Sequence, residues 1–137
     1  MILGGFFMSN ANYGDLICSD HGLYKHFGIY INEDCVIHYD GKIDDKFLRK
    51  MCIRKTNMDR FLAGNENFKV CKFKNNFTES CEVVQRANSR IGEQNFNIIF
   101  NNCEHFGHWC KTGVSKSNQV DFIILIIIFT ILLNYSL

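Results

Sequence analysis

Apolar and polar positions alternate, or run apolar for a few residues, over five short stretches: Asp15–Cys18, His26–Ile31, Cys35–Tyr39, Lys69–Lys74 and Phe96–Phe100. A period of two is the mark of a half-buried strand, so these five are read as strands of a central antiparallel sheet. The period lengthens between Thr78 and Ile91, where Val84, Ala87 and Ile91 recur at helical spacing. Thr78 is placed to cap that helix, Glu79 and Glu82 suit its first turn, and Gly92 ends it. Phe106, Trp109 and Cys110 recur at i, i+3 and i+4 before Gly113, which predicts a strand, a tight turn and a second helix over residues 96–112. Residues 41–68 mix charged and apolar positions without a clear period, and the one element expected there is a helix between Asp45 and Leu62. The fold class expected is α+β, a central antiparallel sheet with packed helices.

The pattern breaks after Gln119. Phe122 to Leu133 reads FIILIIIFTILL, uncharged and interrupted only by Thr130. Such a run has no polar face to present to water, so it is read as a membrane helix rather than a core strand. Residues 122–137 span about 24 Å at ~1.5 Å per residue, somewhat short of a hydrocarbon core of ~30 Å. Lys111 and Lys116 precede the run, which places the preceding domain on the cytosolic side of a single-pass tail anchor.

Composition narrows the partners. Fifteen basic and fourteen acidic residues leave a formal charge of +1, so no phosphate-backbone footprint is present and nucleic acid is not an expected partner. Seven cysteines lack the regular spacing of a disulfide framework or a metal knuckle, and are read as free thiols in a reducing compartment. No metal or cofactor is expected.

Among those cysteines Cys103 stands apart. Asn101 is a good helix cap and Glu104 follows three residues on, as in a capping box, which sets Cys103 in the first helical turn. There the helix dipole favours thiolate, the nucleophilic form. A thiolate nucleophile also needs a positioned base. His105 is two residues away on the same helix and points elsewhere, His108 lies farther along it, and His21 falls in a loop. His26 and His38 fall in two strands flanking Asn32-Glu33-Asp34. If those three residues form the turn, Ile31 pairs with Cys35, Gly28 lies opposite His38, and His26 is a diagonal neighbour on the same face. Gly28 would then leave room between the rings for the Cys103 helix to approach. The site expected is Cys103, His26 and His38.

Three segments carry a resemblance. Gly14-Asp15-Leu16-Ile17, the histidine box from His26-Phe27-Gly28-Ile29-Tyr30-Ile31 to Cys35-Val36-Ile37-His38, and Asn102-Cys103-Glu104-His105-Phe106 resemble, in order and spacing, the LRAT/H-rev107-like acyltransferases. That family is itself similar to circularly permuted NlpC/P60 thiol hydrolases, so the resemblance implies a papain-like thiol fold. It divides the chain into an N-terminal segment (1–12), a catalytic domain (13–114), a polar linker (115–121) and a membrane anchor (122–137). It implies that Cys103 takes an acyl group as a thioester, that His26 is the general base and that His38 orients His26. Membrane phospholipids would be the acyl donor, in acyltransferase or phospholipase A1/A2 chemistry, with water, an amine or a lysolipid as acceptor. Phe27 and Phe96 depart from the tryptophan and tyrosine common in the family. A thiol peptidase or amidase of the same fold group, and a membrane-tethered protein without turnover, are the other readings.

Overall fold

The computed structural model describes residues 10–41, 51–74 and 78–136. Four antiparallel strands form a meander: β1 (Leu16–Asp20), β2 (Lys25–Asn32), β3 (Cys35–Asp40) and β4 (Cys52–Thr56). A two-residue strand β5 (Lys69–Val70) adds to the outer side of β1, giving the order β4-β3-β2-β1-β5. The helices are α1 (Met58–Leu62), α2 (Ser80–Ser89), α3 (Cys103–Thr112) and α4 (Asn118–Tyr135). The α+β class and the antiparallel sheet agree with the sequence.

Strand parity sorts the core into two layers. Leu16, Cys18, Phe27, Ile29, Ile37, Tyr39 and Ile53 point to one face, where Val83, Val84 and Ala87 of α2 and Phe106 and Cys110 of α3 cover them. Ile17 and Val36 point to the other face, against Phe61 of α1. Close packing sets two glycines. A Cβ at Gly107 would stand 2.3 Å from Leu16 Cδ1, and one at Gly28 would stand 2.6 Å from Val36 Cγ1 and 2.9 Å from Phe61 Cε2. Neither position has room for a side chain.

Several elements differ from the sequence reading. The part of Asp45–Leu62 that is described divides equally between the edge strand β4 and the short helix α1 at Met58–Leu62; residues 45–50 lie outside the described residues. Asn57 ends the strand and caps α1, accepting from the Arg60 amide at 2.9 Å. Phe96–Phe100 is a turn rather than a strand. Asn97 Oδ1 accepts from the amides of Ile99 (2.9 Å) and Phe100 (3.0 Å), giving the backbone a local partner in place of a ladder. The strand expected at Lys69–Lys74 shortens to two residues. Helix α2 begins at Ser80 with Glu79 as N-cap and no side-chain cap, so Thr78 lies outside it.

A charged knot joins the layers behind α3. Glu93 accepts from Arg90 Nε (2.7 Å), Arg90 Nη2 (2.6 Å), the Tyr39 hydroxyl (2.8 Å) and Asn101 Nδ2 (3.1 Å). The Arg90 guanidinium, helped by Asn101 and Tyr39 and opposed by burial, holds the Glu93 carboxyl down at about 2. A folded-state value below the ordinary 4.5 stabilises the fold above that pH, and the gain is lost as pH falls from 4.5 towards 2. The stability difference between the wild type and Glu93→Gln is therefore expected to be constant at neutral pH and to shrink through that acid window. Denaturant titrations at several pH values would check it.

Candidate active site

The turn joining β2 and β3 builds the histidine pair. It contains two residues rather than three: Asn32 pairs with Cys35, and the Asn32 side chain accepts from the Asp34 amide at 2.9 Å. An irregularity between Tyr30 and Asn32 takes up the missing residue, so Tyr30 faces Val36, Ile29 faces Ile37, and Gly28 faces His38 as the alternation required. The expected pairing of Ile31 with Cys35 is replaced. The histidines meet: His26 Nε2 lies 2.8 Å from His38 Nδ1, with the rings edge-on at 4.9 Å.

Phe61 packs against both rings, at 5.1 and 5.3 Å between centroids. The space beside Gly28 is therefore filled by α1, not by the Cys103 helix as the sequence suggested. An open cleft of about 500 Å³ on this side is lined by His21, Tyr24, His26, His38, Arg60 and Phe61, among others. The far edge of His38 is held by β4, a strand the sequence did not reveal: His38 Nε2 lies 2.7 Å from Thr56 Oγ1, whose hydroxyl lies 3.0 Å from the Asn57 carbonyl. His38 Nδ1 is also 3.1 Å from the Tyr39 carbonyl. Two proton arrangements are possible, and each makes all but one of these contacts: the first leaves the Tyr39 carbonyl without a proton from His38, the second leaves the Asn57 carbonyl without one from Thr56. If Thr56 donates to Asn57, it accepts from His38 Nε2–H, His38 Nδ1 accepts from His26 Nε2–H, and His26 Nδ1 keeps a free lone pair. If His38 Nδ1–H instead donates, to Tyr39 and His26, the proton of His26 sits on Nδ1.

Cys103 arrives from the opposite face. Its helix is capped one residue later than the sequence indicated: Asn102, not Asn101, accepts from the amides of Glu104 (3.0 Å) and His105 (3.1 Å). His105 Nδ1 completes the capping box by accepting from the Asn102 amide at 3.2 Å, the role expected of Glu104. Asn101 serves the Glu93 knot instead.

The thiol sits where β2 and β3 part. The β1–β2 ladder runs to Lys25↔Asp20, but the β2–β3 ladder stops at Gly28↔His38. Backbone groups of β2 before Gly28 that face β3 thus lack a strand partner. Cys103 takes them: its thiol donates to the Lys25 carbonyl at 3.6 Å, and the Phe27 amide favours its anionic form. Sulfur and imidazoles therefore converge on the splayed end of β2 from opposite faces. The structure's hydrogen bonds join the two imidazoles to each other and the thiol to backbone.

Electrostatics favour neutral groups at rest. Burial pushes the Cys103 thiol up to about 11, with the Glu104 carboxylate adding to the rise and the amides of Phe27, Glu104 and Cys103 opposing it. The helix-start effect anticipated from sequence is present but smaller than the cost of desolvating a thiolate. Burial also pushes His26 down to about 3, with His38 and His21 adding and Asp40 opposing. His38 falls to about 4, again through burial, against Asp40 and the Tyr39 carbonyl. Alkylation of Cys103 by iodoacetamide in the lipid-free protein is accordingly expected to be slow at pH 7 and to rise until about pH 11, measured by peptide mass spectrometry.

Glu104 has a different task. Its buried carboxylate accepts from the Ser117 hydroxyl (2.6 Å), the Gln119 amide (3.2 Å) and Gln119 Nε2 (3.0 Å), binding α3 to the first turn of α4. Helix α4 starts at Asn118, within the stretch read as linker, because Ser117 caps it. None of its residues is buried, and among the described residues it is the one helix long and apolar enough to cross a membrane. Its eighteen residues reach about 27 Å.

Fold and site together define an α+β protein with a thiol at a helix start and a histidine pair on an adjacent hairpin. The lecithin retinol acyltransferase profile matches residues 9–116, and the chain belongs to that family. It is 29% identical over 120 residues to human phospholipase A and acyltransferase 2, covering 78% of this chain and 74% of that protein. Rat phospholipase A and acyltransferase 5 is 27% identical over 128 residues, covering 82% of this chain and 42% of the relative. Bovine lecithin retinol acyltransferase is 28% identical over 132 residues, covering 79% and 57%. The chain thus spans about three-quarters of the first relative's length but less than two thirds of the other two.

Proposed function

We propose that the chain is a thiol-dependent acyltransferase and phospholipase A acting on glycerophospholipids, with a permuted NlpC/P60-like catalytic fold and with α4 as a membrane anchor. What supports this most is the convergence of Cys103 and the His26–His38 pair on the splayed end of β2. In the proposed cycle Thr56 accepts from His38, and His38 accepts from His26, so His26 Nδ1 is the base. It removes the Cys103 proton as sulfur attacks the ester carbonyl, with the Cys103 amide as a candidate oxyanion donor. The C–O bond then breaks, the leaving lysolipid oxygen takes the proton from His26, and the acyl group stays on sulfur as a thioester. Water, an amine or a lysolipid attacks the thioester in the second half-reaction, again with His26 as base. Raised thiol and lowered imidazole values mean that ionisation accompanies attack rather than precedes it.

One observation favours a second reading, a membrane-tethered protein without turnover: the thiol is nearly buried and engages the Lys25 carbonyl instead of an imidazole. Incubating the full chain with phosphatidylcholine vesicles, and separately with peptide and amide substrates, decides between them. Lysolipid release with vesicles supports the proposal. Cleavage of peptides alone would point to a peptidase or amidase, and inertness towards both to the tethered protein.

A further inference from the structure

The corner from which α4 departs carries two exposed apolar turns, each tied by hydrogen bonds to the first turn of that helix. On one side Gln119 Oε1 accepts from the Lys25 amide at 2.9 Å, at the foot of the β1–β2 turn. That turn presents Leu23 and Tyr24 to solvent, Leu23 wholly so. On the other side Asn102 Nδ2 donates to the Ile98 carbonyl (3.0 Å) and to Ser117 Oγ (3.5 Å). Its turn presents Ile98, Ile99 and Phe100, the last 77% exposed. The Asn97 side chain holds that turn in shape, so its apolar presentation is imposed by hydrogen bonds. The Glu104 carboxylate, bonded to both Ser117 and Gln119, closes the knot between the two sides.

Five exposed apolar side chains gathered at one corner mark a docking surface. The occupant follows from α4, which is exposed from Asp121 onward and apolar from Phe122 to Leu133: whatever surface it enters, the two turns meet as well. Tyr24 and the Lys25 stem, apolar in body and polar at the tip, suit a headgroup boundary. Resting on the reading of α4 as a membrane anchor, we infer that Leu23–Tyr24 and Ile98–Phe100 dock into the headgroup–acyl boundary of the phospholipid bilayer. They seat the Cys103 end of the sheet on the lipid surface, where α4 alone would leave the domain free to tilt.

The test is depth-dependent fluorescence quenching, which does not depend on catalysis. Leu23→Trp, Phe100→Trp, Asn88→Trp on α2 and Phe129→Trp in α4 are each made in the full chain and reconstituted into phosphatidylcholine vesicles brominated high on the acyl chain. Trp109 is kept throughout and its signal subtracted with the parent protein. Quenching of at least about twofold at positions 23 and 100, with none at 88, is the expected result. Quenching at 129 without quenching at 23 and 100 overturns the docking surface while leaving the anchor intact. Quenching nowhere overturns both.

Discussion

Replacing Cys103 by alanine is expected to lower lysolipid release from vesicles by at least about 10³-fold, the order of loss seen when a covalent nucleophile is removed from an enzyme that acts as a unit with its base. Six other cysteines are present, and two of them are set aside by burial and by position. Cys110 lies in the α3 core, where burial pushes its thiol up to about 12 despite Arg90 and Arg86 nearby. Cys81 is exposed on α2, away from the histidine pair, so Cys81→Ala should leave turnover unchanged. The loss in Cys103→Ala is chemical rather than structural: removing one sulfur at the start of α3 leaves the Asn102 cap, the His105 contact and the Glu104 knot in place. Unchanged melting with lost lysolipid release is the pattern expected. Unchanged release would remove Cys103 from the mechanism.

Phe106→Ala is expected to cost about 3–5 kcal/mol of stability, the range for emptying a large aromatic site in a close-packed core. Phe106 is completely buried between α3 and the sheet, edge-on to Tyr39 at 5.9 Å, with the Arg90 guanidinium 5.2 Å above its ring. Truncation leaves a cavity in the layer that fixes α3, and removes the ring that Arg90 covers while Arg90 still binds Glu93. A fall in melting temperature of roughly 10 °C or more follows for a domain of this size. Activity should fall at temperatures well below melting too, because the same layer sets the position of Cys103 over β2.

What could be read from sequence was local or two-periodic. The histidine contact was legible because a period of two turns a residue count into a face, and the irregularity after Tyr30 compensated a turn one residue shorter than expected. Edge strand β4 was not legible: Arg54 and Lys55 follow Cys52 and Ile53 without alternation, as suits an exposed edge guarded by charge. The apolar run at 96–100 misled because Asn97 offered its amides a nearer partner than any strand. The side of the sheet taken by α3 is a long-range matter, yet a signal was present. His26, Gly28 and His38 share one parity, while Phe27, Ile29 and Ile37 share the other, and an apolar helix stripe packs on the larger apolar set. The raised thiol could not be read at all, since burial of Cys103 depends on where β2 and β3 part.

Intact-peptide mass spectrometry of the full chain, quenched in acid within the first turnovers on phosphatidylcholine vesicles of defined acyl composition, addresses the mechanism at its centre. The peptide carrying Cys103 should gain the mass of one vesicle acyl group, lost on hydroxylamine treatment as a thioester is. Lysolipid accumulating while that peptide stays unmodified, or the acyl mass appearing on a different cysteine, would contradict the assignment.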